Sequence, residues 1–103
     1  MAQFESRNIT MMMDLYELTM AYGYFREGAE ARKTRASFDV FFRRHPDGGG
    51  FSIFAGLEQI IEYIENMHFS ATDIAYLRDL SLFDADFLDY LADYRFTGNI
   101  RAF

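Results

Sequence analysis

Residues 36–57 read Ala36-Ser37-Phe38-Asp39-Val40-Phe41-Phe42-Arg43-Arg44-His45-Pro46-Asp47-Gly48-Gly49-Gly50-Phe51-Ser52-Ile53-Phe54-Ala55-Gly56-Leu57, and the fold turns on them. Phe38, Val40 and Phe42 alternate with Ser37, Asp39 and Arg43, the period of two that a half-buried strand requires, and Phe41 makes the second face partly apolar. Pro46 and the three glycines break that pattern, and Phe51 to Ala55 is an apolar run too short for a helix. The stretch predicts a strand over 36–44, a loop, and a returning strand over 51–55. Period two resumes from Tyr94, with Tyr94, Phe96, Gly98, Ile100 and Ala102 on one face, and predicts a third strand.

Outward from this stretch the spacing becomes helical. Leu15, Leu18, Tyr22 and Phe25 fall at i, i+3, i+7 and i+10, one stripe of a helix from about Asp14 to Glu27, with Gly28 where a C-cap glycine belongs. Asp14 with Glu17 three residues on is a capping-box-like start. A polar link over 30–35 joins this helix to the first strand. Leu57, Ile60, Ile61, Ile64 and Met67 stand opposite Glu58, Glu62 and Glu65 and define a second helix. Ser70 with Asp73, and Asp84 ahead of Phe87, Leu88 and Leu91, start two more, with Ile74 and Leu77 on the buried side. The fold class expected is α/β, an α+β-like mixed sheet packed with helices. No internal repeat or linker divides it.

Composition excludes several function classes. Sixteen acidic against ten basic side chains give a net charge of −6 and oppose binding to nucleic acid. The absence of cysteine rules out, within this sequence, a disulfide framework, a thiolate zinc site and a cysteine nucleophile. It fits a reducing compartment, and the cytoplasm is the expected location. Asp14, Glu17, Glu58, Glu62 and Glu65 interrupt every apolar run well short of the roughly 20 residues of a membrane span. Met1 to Arg7 lack the uninterrupted apolar core of a signal peptide. Twelve Phe and seven Tyr demand a large burying surface. The last strand ends at Arg101-Ala102-Phe103 without a turn or polar tail, which reads as a piece of a longer chain; an edge strand closing a small domain is the alternative.

Candidate chemistry is sparse. His45 and His68 lie too far apart for a metal-ligand pair, so no metal site is expected. His68 suits a helix end, where an imidazole complements the last carbonyls. His45, with Arg43, Arg44 and the glycines, fits either a cradle for a carboxylate or phosphate or a plain turn between strands. Asp84, Asp86, Asp89 and Asp93 read as caps and solvated helix faces. Met11-Met12-Met13 reads as a buried staple or an interface patch. In Asp14-Leu15-Tyr16-Glu17-Leu18-Thr19-Met20, Tyr16 and Met20 share a face beside the apolar stripe. Tyr16 there offers a flat ring for an aromatic ligand, with Asp14 placed to orient a polar edge; a helix cap plus a core aromatic is the competing reading.

Three blocks in order carry a family resemblance. Met13-Asp14-Leu15-Tyr16-Glu17-Leu18-Thr19-Met20-Ala21-Tyr22, then Phe38-Asp39-Val40-Phe41-Phe42-Arg43-Arg44-His45-Pro46, then Gly48-Gly49-Gly50-Phe51 with Phe54-Ala55-Gly56-Leu57-Glu58, resemble the N-terminal part of nicotinate phosphoribosyltransferases. The similarity continues through Phe96-Thr97-Gly98. The resemblance implies an enzyme that makes nicotinate mononucleotide from nicotinate and phosphoribosyl pyrophosphate. It also implies ATP hydrolysis through a transient phosphohistidine, Mg²⁺ at the phosphates, and a role in NAD biosynthesis. Members of the family are homodimers, much longer than this sequence, with an irregular α/β barrel downstream. On this resemblance Tyr16 reaches the partner subunit's pocket and stacks on the pyridine ring, Asp14 lies at the pocket edge or caps the helix, and Arg43 is a phosphate-side contact. Residues 1–103 then form the N-terminal portion, inactive alone, with the barrel absent. Met13 stands where the family pattern has threonine, Asp47 where an aromatic is common, and neither histidine lies in a phosphohistidine motif. A nicotinamide-specific relative and a stand-alone protein-interaction domain with an aromatic binding face are the other readings.

Overall fold

A computed structural model of the chain describes residues 8–102. Helix α1 spans Leu15–Arg26, a single turn α2 spans Ala29–Arg32, α3 spans Leu57–Asn66, α4 spans Ala71–Asp79 and α5 spans Ala85–Asp93, with a 3₁₀ turn at Pro46–Gly48. Of the stripe read from the sequence on α1, Leu18, Tyr22 and Phe25 pack, whereas Leu15 is exposed. Leu18 and Phe25 of α1, Phe69 ahead of α4, Ile74 and Leu77 of α4, and Phe87, Leu88 and Leu91 of α5 make one core. Leu77 is 0% exposed and Phe87 1%, and burying a side chain of this kind is worth about 1.5–3 kcal/mol. Phe87 meets Phe25 at 5.4 Å and Tyr22 at 5.1 Å between ring centroids, so α1 and α5 are locked by aromatic contacts.

Local chemistry explains where the helices begin. Ser70 Oγ accepts from the Asp73 backbone N–H at 3.1 Å while Asp73 Oδ2 accepts from the Ser70 N–H at 2.9 Å, a complete capping box at α4. Asp84 Oδ1 accepts from the Phe87 N–H at 3.0 Å and starts α5. Its other oxygen accepts from the Tyr22 hydroxyl at 3.2 Å, which ties α5 to α1. After α1, Gly28 has φ 103 and ψ −170, a conformation open to glycine, and there the chain turns into α2 rather than into the simple polar link expected. Residues 8–13 strap across the other end. Buried Thr10 accepts from the His68 N–H through its hydroxyl at 3.2 Å, Asn8 donates to Asp73 at 3.1 Å, and Met11 and Met13 pack on the core while Met12 stays exposed.

The mixed sheet is a correction. Among the described residues there is no strand: 36–44, 51–55 and 94–102 carry no ladder, and the fold shown is helical. The physical reason is that a helix satisfies its backbone within itself, whereas a strand's N–H and C=O groups need a second strand, and its apolar side chains need a facing layer. Neither is present around residues 36–55. Phe38 is 89% exposed and Val40 91%, and Phe41, Phe51, Ile53 and Phe54 are also exposed. The radius of gyration, 16.1 Å, exceeds the roughly 13 Å of a compact chain of this length. We call residues 35–56 the arm. Helix α3 forms as expected, yet none of its residues is buried, so its apolar face lacks the layer that the sheet was expected to supply. The readings made on Met1 to Arg7 and on Phe103 lie outside the described residues.

Candidate functional site

The start of α1 carries two of the three candidate residues. Asp14 is the N-cap residue with φ −74 and ψ 141, and its carbonyl accepts from the Glu17 N–H at 3.1 Å. Its carboxylate makes no capping hydrogen bond. Of the two roles read for this side chain, capping is therefore not the one it adopts, in contrast to Ser70 and Asp84. Tyr16, in the first turn, is 60% exposed and Met20, one turn later, is also exposed. The Tyr16 ring is thus not a core aromatic; the core is built from Leu18 and Phe25 on the opposite side. Thr19 closes the turn by donating its hydroxyl to the Tyr16 carbonyl at 3.0 Å, leaving the tyrosine side chain unencumbered. An exposed phenol ring with a free carboxylate two positions before it can stack on a flat ligand and hold a polar edge.

Arg43, the third candidate, is exposed in the arm and shares no element with Asp14 and Tyr16. The glycine loop beside it is a built turn. Pro46 opens a 3₁₀ turn, Asp47 sits at φ 56 and Gly48 at φ 69, the Gly49 N–H returns to the Pro46 carbonyl at 3.0 Å, and His45 Nδ1 lies 2.9 Å from Ser52 Oγ across the loop. These bonds supply what the turn reading needs. His68 Nδ1 donates to the Asn66 carbonyl at 2.8 Å, at the last residue of α3, as expected of an imidazole at a helix end. Asp86, Asp89 and Asp93 are on solvated faces. Among the described residues no three acidic or histidine side chains are grouped so as to hold a metal ion. No helix among them is long and apolar enough to cross a membrane.

One feature escaped the sequence reading. An apolar cleft of about 340 Å³ opens between α1 and α5, walled by Leu18, Tyr24, Phe25, Phe87, Tyr90 and Tyr94 among others. Arg32 of α2 lies over the Phe25 ring at 3.8 Å and donates to the Phe25 carbonyl from Nε and one terminal nitrogen at 3.4 and 3.3 Å. Tyr16 is not part of this wall. Tyr24 and Phe25 are adjacent on α1 and Tyr90 and Tyr94 lie one turn apart at the end of α5, and no spacing in the sequence signals that the two pairs meet.

Comparison with known proteins gives a consistent answer. Residues 11–103 match the model of the nicotinate phosphoribosyltransferase (NAPRTase) N-terminal domain. The chain is 41% identical over 85 residues to the nicotinate phosphoribosyltransferase of Bacillus subtilis, covering 82% of this chain and 17% of that protein. It is 41% identical over 92 residues to nicotinate phosphoribosyltransferase pncB2 of Mycobacterium tuberculosis, covering 89% and 19%. It is 36% identical over 76 residues to the human nicotinate phosphoribosyltransferase, covering 74% and 14%. The chain therefore spans less than a fifth of the length of these relatives. No solved structure gives a significant match.

Proposed function

The chain belongs to the nicotinate phosphoribosyltransferase family, and on that premise we propose that it is the N-terminal portion of an enzyme forming nicotinate mononucleotide from nicotinate and phosphoribosyl pyrophosphate in NAD biosynthesis. The observation that carries this reading is the family match across residues 11–103. In the reaction the pyridine nitrogen lone pair forms a bond to the anomeric carbon of the ribose, the bond from that carbon to the pyrophosphate oxygen breaks, and pyrophosphate leaves with the electron pair. ATP hydrolysis and Mg²⁺ belong to this enzyme, but no residue of the chain is assigned to either, and neither His45 nor His68 is the phosphorylated histidine. An irregular α/β barrel downstream makes up the rest of the enzyme. The 103 residues alone are inactive, and the enzyme works in the cytoplasm.

Within a homodimer, Tyr16 of one subunit stacks on the pyridine ring in the pocket of the other, Asp14 lies at the pocket edge, and Arg43 contacts the phosphate side. What supports the first two roles is geometry: the Tyr16 ring is exposed and the Asp14 carboxylate is not used as a cap. Stacking holds the ring in line for attack, a positioning contribution rather than acid–base catalysis. The test is Tyr16→Ala in the full-length protein. Loss of a stacking contact of this kind raises KM for nicotinate by about 3- to 10-fold, with the helix signal in circular dichroism unchanged. Unaltered KM and kcat would remove the stacking role.

A further inference from the structure

The segment ahead of α1 holds a buried polar side chain that the proposed reaction does not use. Thr10 is 1% exposed, and its hydroxyl accepts from the His68 N–H, between α3 and α4, at 3.2 Å. A buried hydroxyl is unfavourable unless it is bonded, so this contact fixes where Thr10 sits. Asn8 extends the tie. Its side-chain oxygen accepts from the Thr10 N–H at 3.2 Å, and its side-chain nitrogen donates to Asp73 Oδ2 at 3.1 Å, the same oxygen that accepts from Ser70 in the α4 capping box. Two backbone bonds then lead toward α1, from the Met12 N–H to the Ile9 carbonyl and from the Met13 N–H to the Met11 carbonyl, both at 2.9 Å. Met11 and Met13 pack on the core.

The start of α1 depends on an anchor of this kind. The first N–H groups of a helix have no partner within it, and the Asp14 carboxylate supplies no cap. Asp14, Leu15, Tyr16 and Glu17 are all exposed, and Leu18 is the first residue of α1 sealed in the core. The backbone that carries Tyr16 is therefore held downstream at Leu18 and upstream through Met13 and the tie from Thr10 to His68. Helix ends fray within a turn, and pinning the flanking residues opposes that fraying.

We infer that Asn8 and Thr10 are positioning residues for the nicotinate pocket: by tying residues 8–13 to the junction of α3 and α4 they hold the first turn of α1, and with it the Tyr16 ring, in the orientation that stacks. Every bond of the tie lies within the described residues, so it does not depend on what covers the exposed faces in the full-length enzyme. The inference rests on the stacking role proposed for Tyr16 and names what keeps that ring in place.

Thr10→Val keeps the shape of the buried side chain and removes its hydroxyl, while Asn8→Ala, at an exposed position, cuts the tie without touching the core. In the full-length protein each should raise KM for nicotinate about threefold and leave KM for phosphoribosyl pyrophosphate within about 1.5-fold. Thr10→Ser, which keeps the hydroxyl, should restore the original value. In a Tyr16→Ala background neither substitution should raise KM further, because the residue through which they act is gone. Amide hydrogen exchange over residues 15–18, read by mass spectrometry, should quicken about tenfold in both variants while α5 keeps its protection. Unchanged exchange over 15–18 overturns the inference whatever Tyr16 does. Faster exchange with both KM values raised, or an increase that adds to that of Tyr16→Ala, makes the tie merely structural and overturns it as well. If Tyr16→Ala raises KM for nicotinate and the two tie variants do not, this inference falls while the stacking role stands. If Tyr16→Ala leaves KM unchanged, both fall.

Discussion

The helical body and the arm are drawn from one composition but hold their apolar residues in opposite ways. In the body, Leu77, Phe87 and Leu88 are sealed between α1, α4 and α5; in the arm, Phe38 and Val40 stand almost fully in water. The arm's sequence is no weaker a structural signal, for its alternation is as regular as the stripe on α1. What differs is the range of the partner each pattern needs. A helix closes its hydrogen bonds four residues away, and α1, α4 and α5 bury one another's apolar stripes within the described residues. A strand's pattern states that a partner exists without stating where it is. The difference teaches that a period-two pattern alone does not make a sheet: with no second strand and no facing layer among the described residues, its apolar side chains stay exposed.

The sharpest way to break this comparison is truncation on both sides of it. Leu77→Ala or Phe87→Ala should each lower the unfolding free energy by about 3–5 kcal/mol, since the removed atoms leave a cavity among helices that cannot collapse onto it. Phe38→Ala should change it by no more than about 0.5 kcal/mol in the single chain. Urea melts followed by helical circular dichroism read both. A Phe38→Ala loss comparable with that at Leu77 would mean that the arm is packed and the contrast false.

A finer version compares helix starts. Ser70→Ala and Asp84→Ala should each cost about 1 kcal/mol, Asp84→Ala toward 2 because its second oxygen also holds the Tyr22 hydroxyl. Asp14→Ala should cost almost nothing in the same melts, because its carboxylate caps nothing. A full capping loss at Asp14 would return that residue to a structural role and remove support for its place at a pocket edge.

These cases also mark what could be read from residues alone. Ser70 with Asp73, Asp84 ahead of Phe87, and the burial of Ile74 and Leu77 were legible because cap and stripe chemistry acts within a few residues. Tyr16 was legible as a candidate, and its competition with a core role was decided only when Leu18 and Phe25 proved to take the inner face. The Asp14 cap was misleading for the opposite reason: the residue type favours a cap, but side-chain rotation is settled by surroundings that spacing does not encode. The sheet read from the period-two stretches is absent among the described residues, where neither a second strand nor a facing layer completes the pattern. The cleft walled by Tyr24 and Tyr90 depends on how α1 and α5 cross, a long-range fact with no local trace.

The smallest expected effect separates the two regions by pH. Tyr94, half-buried at the end of α5, has its phenol pushed above the usual value of 10, first because burial penalises the phenolate and then because Tyr90 is close; burial, with Glu17 adding, does the same to Tyr63 on α3. Below pH 10 both phenols are protonated in the folded and unfolded chain alike, and pH does not matter to them. As pH rises past 10 the unfolded chain releases these protons first, so the folded state binds more protons and stability falls until the folded values are passed. The body should therefore lose stability progressively above pH 10, and Tyr94→Phe should flatten part of that decline in melts taken from pH 9 to 11. Residues 35–56 contain no tyrosine, so substitutions in the arm should leave the slope untouched. A slope that responds to Phe41→Ala and not to Tyr94→Phe would place the arm against the body and reverse the distinction between them.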